Sequence, residues 1–195
     1  MTLLALIRHA PTAWNREGRM QGREDVPLLD ESRADLRRRR VPAPYGGFRA
    51  LCSPLRRCLD TAAMLGLVVT PEPRLIEMDW GGFRGRTLAE LREAHDEDFA
   101  RNESRGLDFR PPGGESPRDV QARVAPLLRE IGAAGRPVLA VTHRGVIRAI
   151  YAQATDWDMT GDPPVGFDVY ALHLFAVDRD GVPRVEALNL PLEVQ

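Results

Sequence analysis

The sequence predicts one α/β domain, residues 1–195, built on a mostly parallel sheet. Three observations predict it. Apolar runs of strand length alternate with segments whose apolar residues recur at helical spacing. One run, Pro137-Val138-Leu139-Ala140-Val141, is apolar throughout, as a parallel strand buried on both faces must be. Three strand candidates also end alike, in polar, chemically capable residues followed by a turn or helix start. These ends are Arg8-His9, Ser53-Pro54-Leu55-Arg56 and Thr142-His143-Arg144. Ligands of open α/β sheets bind at the carboxyl ends of the strands.

The elements follow in order. Leu3 to Ile7 is an apolar strand that stops at Arg8 and His9, before the turn-prone Ala10-Pro11-Thr12. Arg16 to Arg23 is a polar loop punctuated by Gly18 and Gly22. Asp30 to Arg40 reads as a helix with Leu36 inside. Its four terminal arginines suit the negative end of a helix dipole better than a nucleic-acid patch. Phe48 to Cys52 is a second strand. Ser53 and Pro54 then open a helix as N-cap and first helical residue, which places Arg56 in its first turn. Leu67-Val68-Val69 is a third strand candidate.

The segment from Pro73 to Gly85 is irregular, aromatic and Gly-rich, and Glu77 sits among apolar neighbours in it. Thr87 opens a helix with Glu90 three residues on, a capping box. Asp96 to Pro112 is charged and weakly periodic, which suggests a mobile, partly helical flap. A helix follows Ser116, with a kink or break expected at Pro126 and an end between Gly132 and Gly135. Another helix follows His143, carrying Val146, Ile147 and Ile150. Val169 to Val177 alternates like an edge strand, and Asp178 to Gly181 turns it into a hairpin with Val182 to Val185.

Composition narrows the function. A 195-residue domain buries roughly 70% of the surface its unfolded chain exposes, so it needs no staple. A net charge of −1 gives no electrostatic case for nucleic acid or a membrane surface. Cys52 and Cys58 have neither metal-pair nor redox-pair spacing and read as buried thiols in a reducing compartment. With no signal-peptide pattern and no stretch of transmembrane length, a cytoplasmic location is expected. The chain has no lysine, which excludes a Walker A phosphate loop and a pyridoxal Schiff base. Anion binding must rest on arginine, histidine and backbone amides.

Parallel strands bring the three polar ends to one edge of the sheet, where helix N-termini add backbone amides and a positive dipole end. Two histidines and two or three arginines converging there suit a phosphate. Arg8-His9-Ala10-Pro11-Thr12-Ala13-Trp14-Asn15 resembles the signature of the histidine phosphatase superfamily, to which the cofactor-dependent phosphoglycerate mutases also belong. Gln21-Gly22, Ser53-Pro54-Leu55-Arg56-Arg57 with Thr61-Ala62, and Leu75 to Phe83 around Glu77 resemble its later segments in order. So do Pro112 to Ser116 with Arg123, and Thr142 to Arg148. Ala10 and Arg144 stand where the family usually has Gly, and Arg84 where it usually has Glu.

The resemblance implies a three-layer α/β/α sandwich of the phosphoglycerate mutase-like kind. It implies that His9 attacks phosphorus and becomes a phosphohistidine. Arg8, Arg56 and His143 would hold the phosphoryl oxygens, and Glu77 would protonate the leaving oxygen. Thr12, Asn15, Gln21 and Gly22 would seat the substrate. Arg144 would either add a substrate-facing cation or point to solvent. No metal or other cofactor is implied, and His95 and His173 form no ligand spacing. The implied partner is a small phosphorylated metabolite, and the edge strand from Val169 to Val177 leaves room for a homodimer. The short flap favours water as acceptor, hence a phosphatase. A mutase-type phosphotransferase and a non-catalytic phospho-ligand binding module are the alternatives.

Overall fold

The computed structural model describes residues 1–194, apart from the side chains of His95 and Asp96. The strands are β1 (Thr2–Arg8), β2 (Arg39–Arg40), β3 (Arg49–Cys52), β4 (Thr70–Pro71), β5 (Val138–Thr142), β6 (Ala171–Val177), β7 (Pro183–Pro191) and β8 (Glu193–Val194). The helices are α1 (Ala13–Arg16), α2 (Asp30–Arg37), α3 (Ala43–Gly46), α4 (Arg56–Met64), α5 (Leu88–Glu103), α6 (Pro117–Ala134) and α7 (Arg144–Thr155). Single 3-10 turns lie at Pro73–Leu75, Gly81–Phe83 and Gly106–Asp108.

Six strands form the central sheet in the order β4-β3-β5-β1-β6-β7. The first four of these run parallel, while β6 and β7 close the other side antiparallel. Because side chains alternate across a strand, β1 feeds two cores. Leu4 and Leu6 pack with Val124, Leu128, Ile147 and Ile150 of α6 and α7. Ala5 and Ile7 face Leu36, Cys58 and Ala62 of α2 and α4. The result is the three-layer α/β/α sandwich. A third cluster, Phe83, Leu91 and Phe99, seats α5 beside it.

Register places the functional ends. Arg8 lies opposite Thr142 across β1 and β5, and Cys52 lies opposite Val141 across β3 and β5. The ladder runs one residue further on both sides: His9 N–H donates to the Thr142 carbonyl (2.9 Å) and Ser53 N–H to that of Val141 (2.9 Å). His9, Ser53 and His143 thus leave the sheet side by side.

Several expectations need correction. The stretch 67–69 is a connection with Val68 95% exposed, and the strand is Thr70–Pro71, where β3 offers partners. α4 starts at Arg56, after Leu55 in extended conformation; the Ser53 hydroxyl meets His143 Nε2 (2.7 Å) and the Leu55 N–H (3.4 Å), ahead of the helix. Residues 96–103 continue α5, which buries Leu91 and Phe99; the Asp96 side chain, like that of His95, lies outside the described residues. α6 runs unbroken through Pro126, held by buried residues on both sides of it, Val120, Val124, Leu127, Leu128 and Ile131. β6 is interior and fully buried, with β1 on one side and β7 on the other, so it has no free edge to offer a second copy. Cys52 and Cys58 are buried free thiols, and burial raises the Cys52 pKa to about 12. Among the described residues, no helix is long and apolar enough to cross a membrane.

Candidate active site

His9 is 3% exposed. Its Nδ1 lies 2.8 Å from the Ala10 carbonyl oxygen, which can only accept. The ring proton therefore sits on Nδ1, and Nε2 carries the lone pair. The Ala10 peptide is fixed in turn, since its N–H donates to Thr61 Oγ (3.1 Å) on α4. Such a carbonyl brace sets both tautomer and ring plane.

His143, fully buried, is braced the other way. Its Nδ1 lies 3.1 Å from a terminal guanidinium nitrogen of Arg57, which only donates, so Nε2–H points to Ser53 Oγ at 2.7 Å. Cys58 Sγ lies 3.4 Å from the same Nε2. The two rings meet edge to face, 5.2 Å between centroids. Burial, and then the charge of Arg57, hold both imidazoles well below the usual histidine range. Two neutral imidazoles beside a guanidinium leave His9 Nε2 able to act as a nucleophile.

The arginine that does this is Arg57, not Arg56. The Arg56 side chain is 72% exposed and reaches only Asp60, at 3.9 Å. Arg57 is 1% exposed. Its Nε–H donates to His9 Nε2 (3.3 Å), and its terminal nitrogens donate to the carbonyls of Glu24 and Gly22, both at 2.7 Å. A helix starting at Arg56 rather than Ser53 turns Arg57 and Thr61, four residues apart, toward His9. That i, i+4 pair was the available signal, and it was overridden by the Ser-Pro helix start.

The neighbouring groups fall into two sets. Arg8 has a buried Nε without a hydrogen-bond partner, and burial and then Arg144 lower its pKa. Glu77, 9% exposed, accepts the N–H of Met78 (2.8 Å) and the N–H of Gly145 (3.3 Å), which fixes the carboxylate at the N-terminus of α7. A Cβ on Gly145 would collide with Glu77 Oε1. Arg123 holds the backbone before Glu77, donating to the carbonyls of Arg74 and Ile76, both at 2.6 Å. Arg144 is exposed at the mouth, close enough to Arg8 to lower its pKa.

The remaining residues build a frame. Thr12 and Asn15 cap α1 reciprocally, and the Thr12 hydroxyl also lies 2.9 Å from Gln21 Oε1. Gln21 is buried, 3.4 Å from the Glu24 carbonyl through Nε2. Gly22, at φ +55°, aims its carbonyl at Arg57. The structure thus gives Thr12, Asn15, Gln21 and Gly22 hydrogen-bonding work in the loop that fixes Arg57. His173 lies buried in β6, away from this cluster. Among the described residues, no group of three or more His, Cys, Asp or Glu side chains is placed to hold a metal ion.

Neutral imidazoles, buried guanidinium groups and a carboxylate at the carboxyl edge of a parallel sheet make a site whose chemistry suits an anionic, phosphate-type ligand. The family model of the histidine phosphatase superfamily (branch 1) matches residues 4–191, and the chain belongs to that family of enzymes. It is 33% identical over 166 residues to 2,3-bisphosphoglycerate-dependent phosphoglycerate mutase 2 of Gloeobacter violaceus, covering 77% of this chain and 74% of that one. It is 32% identical over 175 residues to phosphoserine phosphatase 1 of Hydrogenobacter thermophilus, covering 82% and 79%. Among solved structures, mycobacterial glucosyl-3-phosphoglycerate phosphatase complexed with VO3 superposes with a TM-score of 0.78 at 27% identity, over 97% of this chain and all of that one.

Proposed function

We propose that the protein is a metal-independent phosphatase that hydrolyses a small phosphomonoester, the ester of a phosphorylated metabolite, through a phosphohistidine on His9. The observation that carries this reading is the fixed tautomer of His9, whose Nδ1–H is tied to the Ala10 carbonyl and whose Nε2 faces Arg57.

In the first step the Nε2 lone pair forms a bond to phosphorus, the ester P–O bond breaks, and the Glu77 carboxyl gives its proton to the departing oxygen. In the second, the Glu77 carboxylate takes a proton from water as the water oxygen bonds to phosphorus. The P–N bond breaks, and phosphate and neutral His9 are restored. Arg8, Arg57 and His143 hold the phosphoryl oxygens, where fixed donors stabilise the charge of the transition state. The Arg57 N–H that points at His9 Nε2 passes to a phosphoryl oxygen in this process.

A limited cover supports water as acceptor. The segment between Glu77 and α6 holds one helix, α5, and short turns. Similarity to the Gloeobacter mutase favours a second reading, transfer to a phosphoglycerate instead of water.

The test is hydrolysis of an aryl phosphate with and without EDTA, by wild type and His9→Ala. Turnover that resists EDTA and vanishes in His9→Ala is expected. Turnover that survives the substitution or stops with EDTA overturns the mechanism. Interconversion of 2- and 3-phosphoglycerate faster than phosphate release would establish the mutase reading.

A further inference from the structure

A cavity of about 340 Å³ opens beside the catalytic carboxylate. Met78 and Gly145, whose N–H groups hold Glu77, form part of its wall, so it lies next to the carboxylate that would protonate the leaving oxygen. Trp80, Phe109 and Leu88 give it an apolar side.

Arg148 stands in the same wall. It lies one helical turn after Arg144 on α7, on the same face. Its guanidinium carbon sits 5.1 Å from the centre of the Trp157 ring, within cation–π range. Its Nε is buried without a hydrogen-bond partner. Burial, then the charge of Arg144, lower its pKa to about 10. Of the other charged groups lining the cavity, Arg92 and Glu103 are closed on each other at 3.0 Å. Asp162 is exposed, and its charge and that of Glu77 act on Arg148, offsetting part of the lowering, with no salt bridge between them among the described residues. A desolvated, unpaired donor gains more from an incoming anion than a solvated one does.

We propose that this cavity is the leaving-group subsite and that Arg148 is its specificity-determining residue. It selects phosphomonoesters whose alcohol part joins an apolar, ring-sized body to a second acidic group. The apolar side takes the body, and Arg148 takes the acid while the phosphate sits on His9, Arg8 and Arg57. The proposal rests on the phosphatase reading for the placing of the phosphate.

Two probe pairs test it. Benzyl phosphate and its 3- and 4-carboxybenzyl analogues differ only in a carboxylate remote from the reacting oxygen; the matching phosphonates bind without turnover. The better carboxylated ester should exceed benzyl phosphate in kcat/KM by about tenfold, the scale of one charge-assisted hydrogen bond in a partly dry site. In Arg148→Gln that ratio should fall toward one, and Arg148→Lys should keep part of it. Calorimetric affinities of the phosphonates should show the same pattern. An equal ratio in wild type and Arg148→Gln, by turnover and by binding, overturns the assignment. Selective phosphonate binding without hydrolysis of any ester would instead overturn the phosphatase reading and leave the subsite standing. Unfolding midpoints of the variants, measured alongside, identify a folding defect.

Discussion

Gly145 shows how little room the site leaves. Its single hydrogen faces Glu77, and a methyl there would displace the carboxylate. Gly145→Ala should therefore cut aryl phosphate turnover by about tenfold or more, since a displacement of about 1 Å can cost on the order of a hundredfold. The unfolding midpoint should fall by less than the loss of rate implies, since the atom met first is one oxygen of the Glu77 side chain; a fall in stability matching the loss of rate would contradict this account. The arginine pair allows a cleaner contrast. Arg57→Ala should lower kcat by a factor of about 10² to 10³, the usual loss for one preorganised donor. Arg56→Ala should leave kcat within about twofold. Parallel assays of the two variants decide it, and a larger loss in Arg56→Ala would return the role to that residue. His9 and His143 were legible because each follows a strand end, and Glu77 because it is a lone carboxylate among apolar neighbours in an irregular, aromatic segment. Arg57 was not, because the choice between adjacent arginines depends on the phase of a helix. That phase follows from the extended Leu55, which delays the helix start to Arg56.

At the scale of elements, capping and burial decided what was readable. The capping boxes at Thr87 and Ser116 stand where the sequence placed helix starts. In α6 the Ser116 hydroxyl caps Asp119 N–H, and the Asp119 carboxylate returns to Ser116 N–H at 2.9 Å. Ser116→Ala should cost about 1 kcal/mol, read as a lower urea midpoint at unchanged slope. No change would mean that Arg110, 2.6 Å from the Asp119 carboxylate, and packing carry that helix end. Two elements were misread for one reason, that tertiary burial overrules local signals. Pro126 does not break a helix buried on both sides of it. Ala171 to Val177 is apolar on both faces apart from His173, the mark of an interior strand rather than an edge.

For the whole molecule, three buried histidines couple folding to pH. His9 and His143 are held well below the usual range by burial and then Arg57, and burial brings His173 to about 4. As pH falls below the ordinary value of 6.5, the unfolded chain takes up these protons first. Stability is full above that value and declines on acidification. His173 alone accounts for roughly 3 kcal/mol across the window down to about 4. Urea midpoints should therefore fall steadily from pH 7 to pH 4.5, and His173→Gln should flatten the slope; a flat wild-type profile would refute the coupling. The α/β class and the parallel half of the sheet were legible from strand ends and the apolar run at β5. The placing of β6 between β1 and β7 was not, since a hairpin's turn residues say nothing about which of its strands docks inward.

The bond from Arg57 to His9 Nε2 sheathes the lone pair of that nitrogen in the resting protein. A cation anchored at 2.7 Å by the carbonyls of Gly22 and Glu24 holds it. On the mechanism proposed above, a guest rich in negatively charged oxygen draws that guanidinium away, so the arrival of the phosphate itself would bare the nitrogen that attacks it. Neutral electrophiles, which offer the arginine nothing, meet a closed door.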